Sequence, residues 1–330
     1  MSFKKIQFLL YKGKNSGLFN SAKFICDFFK QSSNYIFDIS IVDDISDIDN
    51  IVSKFNPDIV IAEALWIPPS KFLELFSNLE HSKRKWIVRI HSKAPFLSND
   101  IVATTWVKEY CKISTIIISP NTEELTNQLK ITFPEGHFLY LPNIYLSSDL
   151  EENYFKENKN DSISIGCFGA IRPLKNHYAQ ALAAIEFAES INKKLNFHIN
   201  SKVEQQGESV LKNLEALFSN GKHNLIKHPW YSHSDFMKIA ANLDLGMQVS
   251  FSESFNIVTA DLITAKIPMI VSKDINWMSF LNKVSPTSHK EIVFRLKLAY
   301  FLPWLFLLHQ EKALKYYNVT SQKLWTNALK

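Results

Sequence analysis

Cysteine is scarce in this chain. Cys26, Cys111 and Cys167 are the only three in 330 residues, far apart and odd in number. They form no disulfide framework and no paired metal spacing, so a reducing cytoplasm is the expected compartment. Long hydrophobic runs are missing too. The most apolar stretch, "LAYFLPWLFLL" (298–308), is too short to span a bilayer and is interrupted by Pro303. It reads as a buried or interdomain helix pair, with docking on a membrane surface as the alternative. The opening "MSFKKIQFLLYKGKNSG" lacks the apolar core and cleavage site of a signal peptide and fits a first β-strand. Low-complexity tracts and short-period repeats are absent. Neither sign of charge dominates: 37 Lys+Arg against 32 Asp+Glu leave +5. That balance suits an anionic ligand or a weak polyanion contact without marking a nucleic-acid binder.

What remains is ordinary globular material, 46% hydrophobic and 21% charged, in a chain longer than one core usually serves. Short apolar runs alternate with helical patterns: "KIQFLLY", "YIFDISIV", "PDIVIAEA", "KWIVRIHS" and "STIIISPN" are separated by amphipathic stretches, and "HFLYLPN" (137–143) closes the first half. Strand–helix alternation predicts parallel sheets wound by crossover helices. The polar stretch "SSDLEENYFKENKNDS" (147–162) is the best linker, after which the pattern restarts with "SISIGCFGA". The expected organisation is α/β and doubly wound. It has a first domain at 1–148, a linker at 149–161, a second domain at 162–314 and a last helix at 315–330 packing back toward the first domain. Ligands of such sheets bind at the carboxyl ends of strands, here expected in the cleft between two Rossmann-like domains.

Two stretches carry candidate chemistry. In "GCFGAIRPLKNHYAQALAAIEFAES" (166–190) a strand ends at Gly169, and Arg172 and Lys175 follow in the turn before an alanine-rich helix. Cations are unfavourable at a helix start, so two of them there suit a diphosphate: Arg as a fork, Lys as a mobile point charge. Asn176 is read as the helix cap. In "VSFSESFNIVTADLITAKIPMIVS" (249–272) Glu253 stands where a strand hands over to a helix, with Asp261 eight residues on. The amides of Ser254, Phe255 and Asn256 would then sit at the positive end of the helix dipole, ready for phosphate oxygens. The Asp-x-Asp of "SDIDN" (46–50) precedes a helix and reads as capping and first-turn acids. The histidines around "HPWYSHS" have no Cys or acid cluster beside them, so no metal is expected.

Together, 166–190 and 224–272 resemble the nucleotide-sugar domain of retaining glycosyltransferases of GT-B architecture, family 4 type. That family carries a basic pair after the first strand of this domain, matched by Arg172 and Lys175. It also carries a Glu, seven residues and a second Glu, matched by Glu253 and, one methylene shorter, Asp261. Lys266 replaces the customary Gly. The wording "FGAIRPLKN" with "GMQVSFSESFNIV" is most similar to tailed-phage members, which would put the protein in a host cytoplasm. The resemblance implies a metal-independent transferase moving a sugar, with retention, from a UDP-type nucleoside diphosphate donor to an acceptor hydroxyl, with no other cofactor. Arg172 and Lys175 would hold the diphosphate, Glu253 the sugar and Asp261 the ribose, with Trp230 or Tyr231 stacking on the base. Gly17, in the loop after the first strand, would allow close approach to the phosphates or acceptor. His91, ending "KWIVRIHS", would stand near the sugar. The acceptor is a glycan or a hydroxylated DNA base. For the latter, Lys12, Lys14, Lys23, Lys83, Arg84, Lys85 and Lys93 could track phosphates. A weak membrane-surface or DNA contact and no obligate protein partner complete the expectation. The competing reading is a non-catalytic nucleotide-sugar or glycan-binding relative.

Overall fold

The computed structural model describes residues 3–12, 15–30, 34–146 and 161–330. The expected linker at 149–161 and Lys14 lie outside these, apart from residue 161. The chain divides into two compact units: Met1–Leu146 with Asn318–Lys330, and Ser147–Tyr317.

The first unit is built on six parallel strands: β1 (Lys4–Tyr11), β2 (Tyr35–Val42), β3 (Ile59–Glu63), β4 (Lys85–Ile90), β5 (Ile116–Pro120) and β6 (His137–Phe138), in the order β2-β1-β3-β4-β5-β6. Helices cover both faces, so the strands are apolar on both sides and alternate residues feed different cores. Leu9, Val60, Ala62, Trp86 and Val88 pack with Phe72 and Tyr110 on one face. Phe8, Ile59, Ile61 and Ile87 pack with Trp325 on the other. Trp325 belongs to the helix Pro303–Leu329, a single element from Pro303 onward rather than one beginning near 315. Its indole Nε1 donates to the Pro142 carbonyl at 2.6 Å. Chain 139–143 leaves the expected strand after Phe138 and continues as irregular backbone.

The second unit has six parallel strands as well: β7 (Ser162–Gly166), β8 (Lys194–Asn200), β9 (Asn224–His228), β10 (Leu245–Gln248), β11 (Met269–Ser272) and β12 (Lys283–Val284), in the order β12-β11-β10-β7-β8-β9. The helix His177–Ser190 lies on this sheet through Ala181, Ala183, Ala184, Phe187 and Ala188, all fully buried. Small side chains let its backbone come close to β8. The winding reverses at the β7/β10 pair, so the loops leaving these two strands are neighbours although about 80 residues apart in sequence. Such a reversal opens a crevice at the carboxyl ends of the strands.

Candidate functional site

In the second unit, the loop after β7 turns at Gly169, whose φ of 118° is a left-handed value that disfavours any side chain. Its N–H donates to Asn200 Oδ1 at 2.8 Å. The chain then pairs briefly with the segment after β8 (Ile171 with Val203), carries Arg172 past the sheet, and turns through Pro173–Lys175 into the helix. Asn176 does not cap that helix with its side chain. It adopts φ 56°, and its amide instead donates to the carbonyls of Val249 (3.1 Å) and Pro286 (3.0 Å). A donor facing two carbonyls ties the helix start to the loops after β10 and β12, and the side chain so oriented makes no cap hydrogen bond.

Gln180 and Gln248 extend this fastening. Gln180 Nε2 donates to the Lys175 carbonyl while its Oε1 accepts from Val249 N, both at 2.8 Å. Gln248 Nε2 donates to the Phe168 carbonyl, and its Oε1 accepts from Asn256 Nδ2 at 2.8 Å. Both glutamines are buried, and a buried polar network with its partners satisfied is stiff. Sequence reasoning passed over both. The available signal was a glutamine at a position where "YAQALAA" and "GMQVS" otherwise call for apolar residues.

On this frame Lys175 Nζ reaches across to Glu253 Oε1 and forms an ion pair, the two residues being 9% and 8% exposed. The Glu253 N–H donates to Asp274, in the loop after β11. The helix that follows runs Ile257–Thr264, so Ser254, Phe255 and Asn256 precede it rather than form its first turn. Asn256 is the cap residue, its Oδ1 accepting from Thr259 N at 2.9 Å. Phe255 packs in a cluster with Trp277 and Tyr317, each ring touching the other two. Asp261 is buried and holds His233 Nε2 at 2.7 Å, a contact sequence reasoning missed. Beside it, the loop after β9 presents Trp230 and Tyr231 to solvent. Lys202 Nζ stands 5.1 Å from the Trp230 ring. His228 lies near Phe168, Tyr231 and His198, its Nε2 2.9 Å from His198 Nδ1, and burial holds its pKa below the ordinary value.

His177 opens the helix with both ring nitrogens buried and lacking a hydrogen-bond partner. Burial first, then Lys175 and Arg172, push its pKa down to about 3. The folded protein therefore holds it neutral, whereas the unfolded chain protonates it near 6.5. With the folded value depressed, stability is full above about pH 6.5 and falls as the pH drops from there toward 3. The slope from this one group is roughly 1.4 kcal/mol per pH unit. His177→Asn should flatten the loss of thermal stability between pH 6.5 and 4.5; parallel melting curves for variant and wild type would contradict this.

In the first unit, the register aligns Glu63 at the end of β3 with Arg89 on β4. Both are completely buried. Arg89 Nη1 donates to the Glu63 oxygens at 2.9 and 3.2 Å, and Nη2 to the Leu141 carbonyl and Asn143 Oδ1. The guanidinium lies 5.0 Å from the Trp325 ring. His91, just past β4, donates from Nε2 to Glu63. Burial lowers the His91 pKa despite the carboxylate beside it, so the imidazole is neutral. Burial alone would raise Glu63, but Arg89 and His91 more than offset it and keep it ionised. Glu63 and Arg89 were not among the expected site residues. Gly17 sits within the helix Asn15–Lys30, not in a loop, with nothing within 4 Å of where a Cβ would stand. Among the described residues no group of three or more His, Cys, Asp or Glu could hold a metal.

No family model and no curated protein sequence matches the chain. Solved structures do. The UDP-forming α,α-trehalose-phosphate synthase from Burkholderia xenovorans superimposes with a TM-score of 0.71 at 11% identity, covering 99% of each chain. The fold is that of the GT-B glycosyltransferases. The GT-B structure of OtsA gives 0.69 at 12% identity, and that of Anabaena HepE, in complex with UDP and glucose, 0.67 at 12%, each again over 99% of both chains. Identity this low carries the GT-B architecture and no residue role.

Proposed function

We propose that the protein is a glycosyltransferase that moves a sugar from a UDP-type donor to an acceptor hydroxyl with retention. The observation that carries this reading is the buried Lys175–Glu253 pair beside Arg172 at the β7/β10 reversal. There, an incoming diphosphate would compete with Glu253 for the lysine. Lys175 and Arg172 would then oppose the charge growing on the departing nucleoside diphosphate. The released Glu253 carboxylate would accept hydrogen bonds from sugar hydroxyls. Asp261, oriented by His233, would take the ribose, and the Trp230–Tyr231 loop would take the base. HepE is described with UDP and glucose, and the E. coli trehalose-6-phosphate protein with UDP-2-fluoro glucose. Retention is supported by the study of glycosyl transfer with retention in trehalose-6-phosphate synthase.

The acceptor is read as a glycan or a lipid-linked sugar rather than a base in DNA. The described basic residues that could have tracked phosphates are engaged locally. Lys12 pairs with Asp43, Lys23 with Asp27, Lys83 with Glu80 and Lys93 with Glu124, while Arg84 and Lys85 bond the Pro57 and Ala328 carbonyls. Cytoplasmic residence fits the three buried free thiols.

The test is to incubate the protein with a panel of nucleotide sugars and follow UDP release. Slow donor hydrolysis, with a rise in melting temperature for the same donor, is expected. A thermal shift without any UDP release would assign the chain to the non-catalytic binding relatives. Neither effect with any donor would remove the donor site altogether.

A further inference from the structure

The apolar stretch 298–308 is only partly buried. Phe306 is fully enclosed, but Phe301, Leu302, Pro303 and Trp304 form four consecutive exposed apolar residues. They lie where the helix His289–Phe301 bends by 102° into the helix Pro303–Leu329. Phe301 and Trp304 are 64% and 63% exposed. The patch continues along both arms: Phe294 stands seven residues before Phe301 on one helix face, and Leu308 stands one turn after Trp304. Phe280, also exposed, approaches the His309 ring at 6.2 Å between centroids. Large aromatics gathered on a protruding bend are not what a solvated surface needs.

The charge within the patch has one sign. From residue 292 to 310 the only charged side chains are Arg295 and Lys297, with no acid. Lys193 comes from the neighbouring turn to within 5.7 Å of the Tyr300 ring, which abuts Phe301. The acids bounding the stretch have partners: Glu291 accepts from the Ser285 amide and Glu311 pairs with Lys266. Glu186, close by, is paired with His289.

We propose that this corner docks the protein on the surface of an anionic phospholipid bilayer. Trp and Phe at a bend can enter the interfacial layer, where an amphipathic ring is favoured, while Arg295, Lys297 and Lys193 reach the lipid phosphates. No single described helix is long and apolar enough to cross a membrane; the helices His289–Phe301 and Pro303–Leu329 reach that length and apolarity only as a pair bent by 102°, and the contact proposed is one at the surface. A second copy of the chain is a poorer occupant, because it would bring two basic rims together. The docking residues are separate from the donor-site residues, so the inference does not depend on the proposed activity.

The experiment is flotation of the whole chain with vesicles of phosphatidylcholine alone or mixed with phosphatidylglycerol. The protein should float with the anionic vesicles, less so at high salt, and stay at the bottom with the neutral ones. The double variant Phe301→Ser/Trp304→Ser should lose binding by about tenfold to a hundredfold while keeping the wild-type melting temperature, as expected for exposed positions. Arg295→Gln/Lys297→Gln should weaken binding and its salt dependence together. Failure to float with any vesicle, equal flotation with both, or unchanged binding of the serine variant would overturn the proposal. A dimer in sedimentation velocity that the serine variant dissolves would also overturn it and assign the corner to self-association.

Discussion

Lys175→Met is expected to reduce UDP release from the donor by roughly a hundredfold to a thousandfold, the effect of removing one pre-placed electrostatic contact to a leaving group. It is also expected to destabilise the second unit. Lys175 and Glu253 are buried against each other, and removing one member leaves an uncompensated carboxylate, typically at a cost of about 3–5 kcal/mol. The two effects separate in a double variant. Lys175→Met/Glu253→Gln removes both charges, so most of the melting temperature should return while turnover stays lost. Calorimetry and a UDP-release assay on the three proteins read this directly. Full activity in Lys175→Met would exclude the lysine from the reaction. A double variant no more stable than the single would mean that the pair is not the source of the stability.

Arg89→Met should be the most damaging single change in the first unit. It strands the fully buried Glu63 and removes the donors that hold the Leu141 carbonyl and Asn143. It also takes away the cation facing Trp325. At about 3–5 kcal/mol, and roughly 2–4 °C per kcal/mol for a unit of this size, the melting transition should fall by about 10 °C. Glu63→Gln/Arg89→Met should recover part of that, since no charge is then left buried. A fall of less than about 2 °C in the single variant would show that the pair is held by something other than the arginine.

These two pairs also mark how far the sequence could be read. Strands β1, β3, β4, β5 and β7 were legible because each is a short apolar run bounded by turn residues. β12, two residues long, is too short to leave any periodicity, and of the run read at 137–143 only His137–Phe138 is strand. Arg172, Lys175, Glu253 and Asp261 were visible through their spacing and family resemblance, and the β7/β10 reversal gathers the loops that bear Lys175 and Glu253. Glu63 and Arg89 were hidden inside runs that looked only like strands, and their partnership depends on a parallel register 26 residues apart. His233 was hidden for the same kind of reason: its partner Asp261 lies 28 residues further on. Asn176 misled because a cap-forming residue at a helix start is the ordinary local reading, and here a long-range pair of carbonyls wins its amide.

Trp325 is placed late in the chain but belongs to the core of the sheet made first. Everything that β1 to β6 require is synthesised early except the segment Asn318–Lys330, which follows the whole of the second unit. A ribosome delivering this chain would therefore expose a first sheet with an empty berth beside Phe8, Arg89 and the Pro142 carbonyl while the second unit folds. The order of completion is inverted relative to the order of synthesis. The half of the protein that holds His91 matures last, and a nascent chain stalled before Trp325 would present a hydrophobic slot to chaperones.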